Sequence, residues 1–342
     1  MDVIMKKYFI RPDQKQYKAN LHSHTLLSDG KLTPEQMKNA YKEKGYSILS
    51  ITDHERPKNH SYLNDDDFLT ITGYEAYVRP SEECIYDLYG PEIHINLFAK
   101  KPDNEAYICY NKAYCKYIKD LAEHDTLNKV GSTETRRYTV EYINKFIKTA
   151  VDNGYLVSYN HPVWSMEEEE RVLSYENIFS LEIDNYGCFQ TNATEYSGAL
   201  YDKLLRKGRR WACHGGDDNH NIRPLDSVYS DSFGAFTMIM PEKFDYDGVI
   251  AAMEKGEMYS STGPEIYEIS IEGDTVHIES SAAKQIILYT GSKGPKFVIA
   301  PEGETITSAD LKVDSRAEYF RICVVDEKAR KASSRGFFKD EW

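Results

Sequence analysis

Between about residues 17 and 262, short apolar runs rich in β-branched and aromatic residues alternate with segments whose apolar positions recur at helical spacing. This alternation is typical of parallel strands with helices packed outside them. A chain of 342 residues accommodates one α/β barrel of about 250 residues and a small additional domain. The predicted strands are 46–52, 68–72, 92–99, 155–159, 178–183 and 209–213, and the best-marked helices are 33–45, 139–154 and 196–207.

The helix predicted after residue 33 has clear signals at both ends. Thr33 can cap it, Pro34 suits the first helical position, and Gln36 completes a capping box. Gly45 ends it before the next strand.

Two segments depart from the alternation. Residues 103–138 form a Tyr- and Lys-rich stretch with helical character and a polar tail, which we interpret as an insertion that could act as a lid. After Gly263-Pro264, short alternating runs separated by Gly, Pro and Asp predict a small antiparallel, β-sandwich-like domain. We therefore expect an α/β barrel over 1–262 and an accessory domain over 263–342.

Composition and charge narrow the possible location, partners and metal donors of the chain. No apolar run is long enough to cross a bilayer, and the first residues lack the apolar core of a secretory signal, so a cytoplasmic location is expected. The net charge of -13 argues against a nucleic-acid polymer as partner and favours a small molecule. The six cysteines contain no C-x-x-C pair, so a metal site must use nitrogen and oxygen donors.

Histidine and carboxylate residues gather mostly at the predicted C-terminal ends of separate strands. In α/β barrels the loops at this end build the active site, so these side chains are expected to converge. Imidazoles and carboxylates without thiolates suit Zn, Mn or Fe, and nine donors suit two or three ions. Singly, each residue could equally be an ordinary core, turn or surface residue. The predicted metal ligands are His22, His24, Asp29, His54, Glu75, His94, His161, Asp218 and His220.

The segments that carry these donors resemble, in order, the motifs of the PHP (polymerase and histidinol phosphatase) family of metal-dependent phosphoesterases. The resemblance covers about residues 17–262 and implies a distorted (β/α)7 TIM-like barrel. The matching motifs are Leu21-His22-Ser23-His24 through Asp29-Gly30, Thr52-Asp53-His54, Gly73-Tyr74-Glu75, the His94 strand, Asn160-His161-Pro162 and Asp218-Asn219-His220.

The resemblance also implies a trinuclear centre. One ion would be held by His22, His24, Glu75 and Asp218, a second by the bridging Glu75 with His94 and His161, and a third by Asp29, His54 and His220. Asp53 could orient a neighbouring imidazole or could be only a turn residue.

Four further residues are candidates for contact with the substrate. Arg56, Arg79 and Arg223 follow strands that carry ligands and could clamp a phosphate, although each could equally be a solvated charge. His214 lies four residues before Asp218 and is, with Asp53, a candidate catalytic acid or base.

The leading hypothesis is hydrolysis of a small phosphorylated metabolite or nucleotide by a metal-bound hydroxide. Residues 55–60 differ from the acidic, Thr-containing loop of many phosphatases in the family, and residues 257–264 resemble a carbaryl-hydrolysing branch. The second hypothesis is therefore hydrolysis of a carboxylic ester, carbamate or amide. A third, a non-catalytic binding module, ranks last because every expected ligand position is intact.

Overall fold

The structure, a computed structural model, describes residues 6–80 and 89–342, so Cys84 lies outside the described residues. The strands are β1 (Lys7–Ile10), β2 (Tyr17–Asn20), β3 (Ile48–Ile51), β4 (Leu69–Val78), β5 (Ile93–Ala99), β6 (Tyr107–Ile108), β7 (Lys129–Val130), β8 (Tyr155–Tyr159), β9 (Ser180–Asn185), β10 (Ala212–Gly216), β11 (Phe236–Ile239), β12 (Met258–Ser261), β13 (Ile266–Glu272), β14 (Thr275–Ala283), β15 (Gln285–Tyr289), β16 (Lys296–Ile299), β17 (Ile306–Lys312), β18 (Tyr319–Val325), β19 (Lys331–Ser334) and β20 (Phe337–Phe338). The α-helices are α1 (Pro34–Glu43), α2 (Leu121–Thr126), α3 (Val140–Asp152), α4 (Glu169–Val172), α5 (Tyr186–Asn192), α6 (Gly198–Arg206) and α7 (Tyr246–Lys255). Three 3₁₀ turns lie at Ser61–Leu63, Lys112–Tyr114 and Lys339–Glu341.

The capping box predicted for α1 is confirmed. Thr33 Oγ1 accepts a hydrogen bond from the Gln36 N–H at 3.2 Å, and Gln36 Oε1 accepts one from the Thr33 N–H at 2.9 Å. These two bonds satisfy donors that a helix start leaves unpaired. Met37 and Tyr41 then face the core, fully buried.

The sheet that carries the predicted ligands has mixed strand directions. Its order is β10-β9-β8-β5-β4-β3-β2-β11-β12. The runs β2-β3-β4 and β8-β9-β10 are parallel, as the alternation predicts. The exception is β5, which is antiparallel to β4 and β8 because it starts beside the end of β4, with His94 opposite Tyr77. The beginning of β5 therefore lies at the same edge of the sheet as the carboxyl ends of the parallel strands.

This sheet curls until β10 faces β11. Thr237 Oγ1 donates a hydrogen bond to the Gly215 carbonyl at 2.8 Å and accepts one from the Gly215 N–H at 3.1 Å. A Cβ at Gly215 would lie 2.7 Å from Ser260 Oγ, so this close approach requires glycine. Among the described strands β10 and β11 are joined by side chains and not by a backbone ladder, so the expected barrel is a curled sheet with incomplete backbone pairing.

The C-terminal region is antiparallel, as predicted, and its strands are divided between two sheets. Strands β19, β18, β15 and β16 extend the sheet beyond β12, with β20 paired to β18. A second sheet of four strands, β1-β13-β14-β17, packs against this extension through a shared apolar core. The N-terminal strand β1 belongs to this second sheet, a pairing that local sequence patterns do not reveal. The boundary at about residue 262 stays a prediction.

The segment 103–138 is largely irregular, and the expectation of a helical stretch is wrong. It contains the short parallel pair β6-β7, one 3₁₀ turn and the six-residue α2. Its tyrosines pack inward, with Tyr107 and Tyr114 almost fully buried, so tertiary contacts replace helical bonds. None of the helices in the described ranges combines the length and the apolarity that crossing a membrane requires.

Candidate metal centre

The His22-Ser23-His24 segment extends β2 toward the loop that follows β10. The His24 N–H donates to the Asn219 carbonyl at 3.0 Å, and the Asp218 N–H donates to the His22 carbonyl at 2.9 Å. Both imidazoles are fully buried. The two predicted motifs therefore face each other although they lie about two hundred residues apart in the sequence.

Four donor atoms meet at the base of the bowl. His22 Nε2 lies 3.2 Å from both Glu75 Oε1 and Asp218 Oδ1. His24 Nε2 lies 3.0 Å from Asp218 Oδ1 and 3.5 Å from Glu75 Oε2. Four ligands at roughly 2.0–2.2 Å from one tetrahedral ion are separated by about 3.3–3.6 Å. These four residues fit one divalent ion.

A second group lies nearer the solvent. Asp29 is within 3.5 Å of His220 Nε2, 3.7 Å of His54 Nε2 and 3.8 Å of His24 Nδ1. The resemblance assigned Asp29, His54 and His220 to one ion, and the structure brings them together with His24 added.

The third group is centred on Glu75. Its Oε1 lies 3.0 Å from His94 Nδ1 and 3.3 Å from His161 Nε2, and its Oε2 lies 3.0 Å from His54 Nδ1. The expected pairing of Glu75 with His94 and His161 is present, and His54 joins it. Glu75 contacts donors of all three groups, as a bridging carboxylate would.

Unpaired buried atoms test whether these residues fit metal ions. His24 Nδ1, His54 Nδ1 and Glu75 Oε2 are buried and have no hydrogen-bond partner. His54 Nδ1 and Glu75 Oε2 are close, but the contact lacks hydrogen-bond geometry. Buried polar atoms without partners are costly, and a cation placed among lone pairs of neutral imidazoles and carboxylates would satisfy them. The residues fit a polynuclear divalent metal centre.

Two carboxylates missed in the sequence support the imidazoles from behind. Glu182 Oε1 lies 2.9 Å from His22 Nδ1, and Glu92 Oε1 lies 2.5 Å from His94 Nε2. A carboxylate on one ring nitrogen fixes the tautomer and leaves the other nitrogen for the metal. The only sequence signal for Glu182 was an acid in the middle of an otherwise apolar strand.

Backbone strain accompanies two of the predicted ligands, because His161 also has a positive φ, +22°. Asp218 has φ +48°, a left-handed conformation that aspartate tolerates better than most residues. Asn185 Nδ2 holds its carboxylate by donating to Oδ2 at 3.1 Å. Strain of this kind persists where surrounding contacts impose it, as at ligand sites.

Burial and neighbouring charges shift the pKa values of the two motif histidines in opposite directions. Burial lowers the pKa of His22, but the carboxylates of Asp218, Glu182 and Glu75 outweigh it and raise that pKa well above its usual value. His24 behaves oppositely, because burial together with His220 and His54 lowers its pKa.

Burial lowers the pKa of His94, but the carboxylates of Glu75 and Glu92 outweigh burial and raise this pKa to about 10. Burial raises the pKa of Glu75, but neighbouring imidazoles, His94 foremost, take it well below its usual value. Metal binding to such a centre displaces protons from imidazoles and therefore weakens as pH falls.

The donors open into a cleft of about 610 Å³. Asp29, His54, Glu75, His94, His161, Asp218 and His220 line it, whereas His22 and His24 lie beneath it. The loops that follow β8 and β10 contribute to the lining of this cleft.

The two candidate catalytic residues lie away from this lining. Asp53 accepts hydrogen bonds from the Thr25 N–H at 2.7 Å, Thr25 Oγ1 at 2.6 Å and Ser28 Oγ at 2.6 Å. It orders the turn after His24 and contacts no imidazole. His214 is fully buried with Nδ1 3.1 Å from Ser180 Oγ, and burial lowers its pKa to about 4.

Of the three candidate arginines, the cleft includes Arg79, whose Nε lies 3.5 Å from Glu92 Oε2. Arg56 donates to Glu123 at 2.7 Å and anchors the 103–138 segment. Arg223 is exposed and does not line the cleft. The structure thus brings Arg79, and neither of the others, to the centre.

Comparisons with known proteins fit this arrangement. A model of the PHP domain family matches residues 20–209, more than half of the chain. No curated protein is significantly similar.

Several solved structures match this chain in a structural comparison. A two-domain protein from Bacteroides vulgatus, described as containing a predicted PHP-like metal-dependent phosphoesterase, is 14% identical with TM-score 0.46, covering 96% of this chain and 88% of that chain. An amidohydrolase from Chromobacterium violaceum, solved with sulfate and no metal, is 14% identical with TM-score 0.40 and coverages of 59% and 87%. A candidate metal-dependent phosphoesterase from Bifidobacterium adolescentis is 13% identical with TM-score 0.38 and coverages of 64% and 93%.

At this distance the three structures say nothing about the substrate of this chain. None of them is described as a carbaryl-hydrolysing enzyme, so that resemblance of the tail stays a prediction. The family match spans five of the six predicted motifs in their expected order, and Asp218 and His220 complete the set in space. The chain belongs to the PHP domain family.

Proposed function

We propose that this chain is a metal-dependent hydrolase that cleaves the phosphoester bond of a small phosphorylated molecule. Its site would hold two or three Zn, Mn or Fe ions in the nine-donor bowl. On this proposal the curled sheet is the distorted (β/α)7 TIM-like barrel of the family. The observation that carries it is the position of Glu75, whose two carboxylate oxygens lie 3.0–3.3 Å from nitrogens of His22, His54, His94 and His161. A carboxylate shared in this way can bridge adjacent ions.

When bound, divalent ions supply Lewis acidity and positive charge next to the phosphoryl group. The residues of this chain hold the metal-binding side chains in position. Glu182 and Glu92 fix the imidazoles, so the donors need little rearrangement when substrate arrives.

Arg79 supplies a cation at the wall of the cleft. Its guanidinium lies 4.6 Å from the Tyr77 ring centroid and close to Glu92, which limits its movement. Lys116 lines the same cleft. A phosphoryl oxygen that projects from the centre toward this wall meets charge-assisted donors, which a neutral ester would not need.

Parallel assays of the purified chain, loaded in turn with Zn, Mn and Fe, test the proposal. The substrates are 4-nitrophenyl phosphate, a nucleotide panel and 4-nitrophenyl acetate. We expect hydrolysis of at least one phosphoester, lost in Glu75→Gln and kept in His277→Ala, whose imidazole lies on β14 away from the centre. Cleavage of the acetate alone would favour the ester hydrolase, and no cleavage by any metal form would contradict the proposal.

A further inference from the structure

Four exposed apolar side chains line the cleft. Val163, Trp164, Met166 and Ile222 are 49%, 43%, 51% and 70% exposed, and all four line the cleft. We call this set the apolar wall. Large apolar side chains grouped inside a polar active-site cleft indicate contact with a ligand, since their exposure otherwise costs free energy.

The position of the apolar wall is tied to the metal centre. The Trp164 ring centroid lies 4.9 Å from that of His94 and 5.0 Å from that of His161, both in edge contacts. The buried Glu195 carboxylate accepts hydrogen bonds from the backbone N–H groups of Val163 at 3.3 Å and Trp164 at 3.1 Å. The indole is therefore held at a fixed place beside two ligands.

The other edge of the apolar wall is held in a similar way. Ile222 follows His220 by two residues, and Asp231 accepts the N–H groups of His220 at 2.8 Å and Asn221 at 3.0 Å. An apolar group held between Trp164 and Ile222 would thus lie close to the predicted metal ligands His94, His161 and His220.

Charge is distributed unevenly around the cleft. Of the described lining residues, Arg79 and Lys116 are the side chains with full positive charge, whereas the four residues of the apolar wall carry none. A second phosphate placed against the wall would meet the apolar side chains of Trp164 and Ile222, whereas an uncharged ring would bury apolar surface there.

We infer that the substrate is a phosphomonoester whose alcohol carries an uncharged aromatic group, which packs on the apolar wall. This inference rests on the proposed function and names its substrate class. Hydrolysis would break the bond between phosphorus and the ester oxygen. Water would supply the oxygen that completes orthophosphate and the proton taken up by the released alcohol.

Binding of two inert phosphonates to the metal-loaded full chain tests this inference without turnover. Phenylphosphonate and methylphosphonate carry the same anionic group and differ only in the aromatic ring. We expect calorimetry to show phenylphosphonate binding roughly tenfold more tightly, as one aromatic contact with partial burial would give. Equal affinities, or tighter binding of methylphosphonate, would overturn the inference.

Two variants locate the preference on the apolar wall. Trp164→Ala and Ile222→Ala should each lower the ratio of the two affinities to about threefold or less, while the affinity for methylphosphonate stays nearly constant. Ile222 lies on a different loop from Trp164, so agreement between the two variants guards against an indirect effect through His94 and His161. Val228→Ala is the matched control, because Val228 is an exposed apolar residue outside the cleft lining and should leave the ratio unchanged.

The outcomes separate the inference from the proposed function. A preference for phenylphosphonate that depends on the apolar wall supports aromatic recognition by this wall even in a protein that hydrolyses no phosphoester, a result that would contradict the proposed reaction. Hydrolysis of 4-nitrophenyl phosphate without that preference would retain the reaction and overturn the aromatic substrate. A nucleoside monophosphate binding more tightly than phenylphosphonate would also overturn it, because a sugar would then separate the phosphate from the ring.

Discussion

Glu182 Oε1 lies 2.9 Å from His22 Nδ1, and both side chains are completely buried beneath the metal centre. The second oxygen of Glu182 accepts hydrogen bonds from the His161 N–H at 3.1 Å and from Asn185 Nδ2 at 2.9 Å. The Glu182 carboxylate thus orients the ring of His22 and the backbone of His161. It also orients the Asn185 amide, which in turn holds Asp218. This contact explains how His22 Nε2 comes to face the donors around Glu75.

Replacing Glu182 should therefore weaken metal binding without removing a ligand. For Glu182→Gln we expect the dissociation constant of the most tightly held ion to rise by about 10- to 100-fold, the usual effect of losing such a partner. Competition against a chromogenic chelator measures it. Glu176→Gln, an exposed acid in the preceding loop, is the control. Unchanged affinity in a correctly folded Glu182→Gln protein would show that Glu182 does not orient His22.

The ion pair of Arg136 with Glu55 joins the inserted segment to the residue after His54. Both side chains are fully buried, and Glu55 also accepts hydrogen bonds from the Tyr77 N–H at 3.0 Å and from Tyr107 Oη at 2.5 Å. Removing one member leaves a buried charge without its partner. For Arg136→Met we expect the free energy of unfolding to fall by about 3–5 kcal/mol.

Urea unfolding with bound metal held constant measures this loss. The exposed neighbour provides the control, because Arg137→Met should change stability by less than about 0.5 kcal/mol. Similar small effects of both substitutions would mean that the insertion is not anchored through Glu55.

Asp184 should make stability depend on pH. Its carboxyl group is buried on β9 and contacts Ser260 Oγ at 2.6 Å, and burial raises its pKa to about 7 from a usual value of 3.8. Between these values the folded chain keeps a proton that the unfolded chain has lost. This contribution to stability is therefore present below about pH 4 and is lost as pH rises through about 7.

Asp184→Asn removes that titration while retaining a polar side chain. We expect its stability relative to the unmodified chain to increase between about pH 4 and pH 7, by on the order of a few kcal/mol, and then to level off. Urea unfolding at several pH values measures the difference in free energy of unfolding between the variant and the unmodified chain. Titration of the metal ligands contributes equally to both proteins and cancels in this difference. Parallel stability curves would contradict the assignment.

His214 should act on stability and not on catalysis. Its imidazole is buried below the bowl between Ser158 and Ser180, outside the cleft lining. We expect His214→Asn to keep its metal content and to retain kcat/KM within about threefold, a change of less than 1 kcal/mol in the barrier. A large fall in kcat with a changed pH profile would instead restore the catalytic role considered from the sequence.

Eight of the nine predicted donors follow or begin a strand, where periodicity ends and an isolated histidine or acid is conspicuous, whereas Glu75 lies inside β4. The helix α1 was predictable because its capping box is local, from Thr33 to Gln36. Glu92 was missed because an acid two residues before His94 forms no distinctive pattern, and Glu182 was missed because its contact with His22 depends on how distant strands are arranged. The same holds for His214, whose position near Asp218 in sequence did not reveal that its side chain turns into the core.

The direction of individual strands was the other feature of the fold that could not be predicted from the sequence. The alternation of strands and helices describes β2, β3 and β4 correctly, but it does not distinguish a direct return from a crossover, so the antiparallel β5 was not foreseen. The pairing of β1 with β13 joins segments more than 250 residues apart and has no local signal.

Metal content of the purified chain, measured by inductively coupled plasma mass spectrometry after exchange into metal-free buffer, tests the central claim most directly. The proposed centre predicts two or three divalent transition-metal ions per chain, and Glu75→Gln should reduce this number because its carboxylate contacts all three donor groups. A chain that retains less than about one ion after loading with Zn, Mn or Fe, and the same amount in Glu75→Gln, would contradict the polynuclear centre.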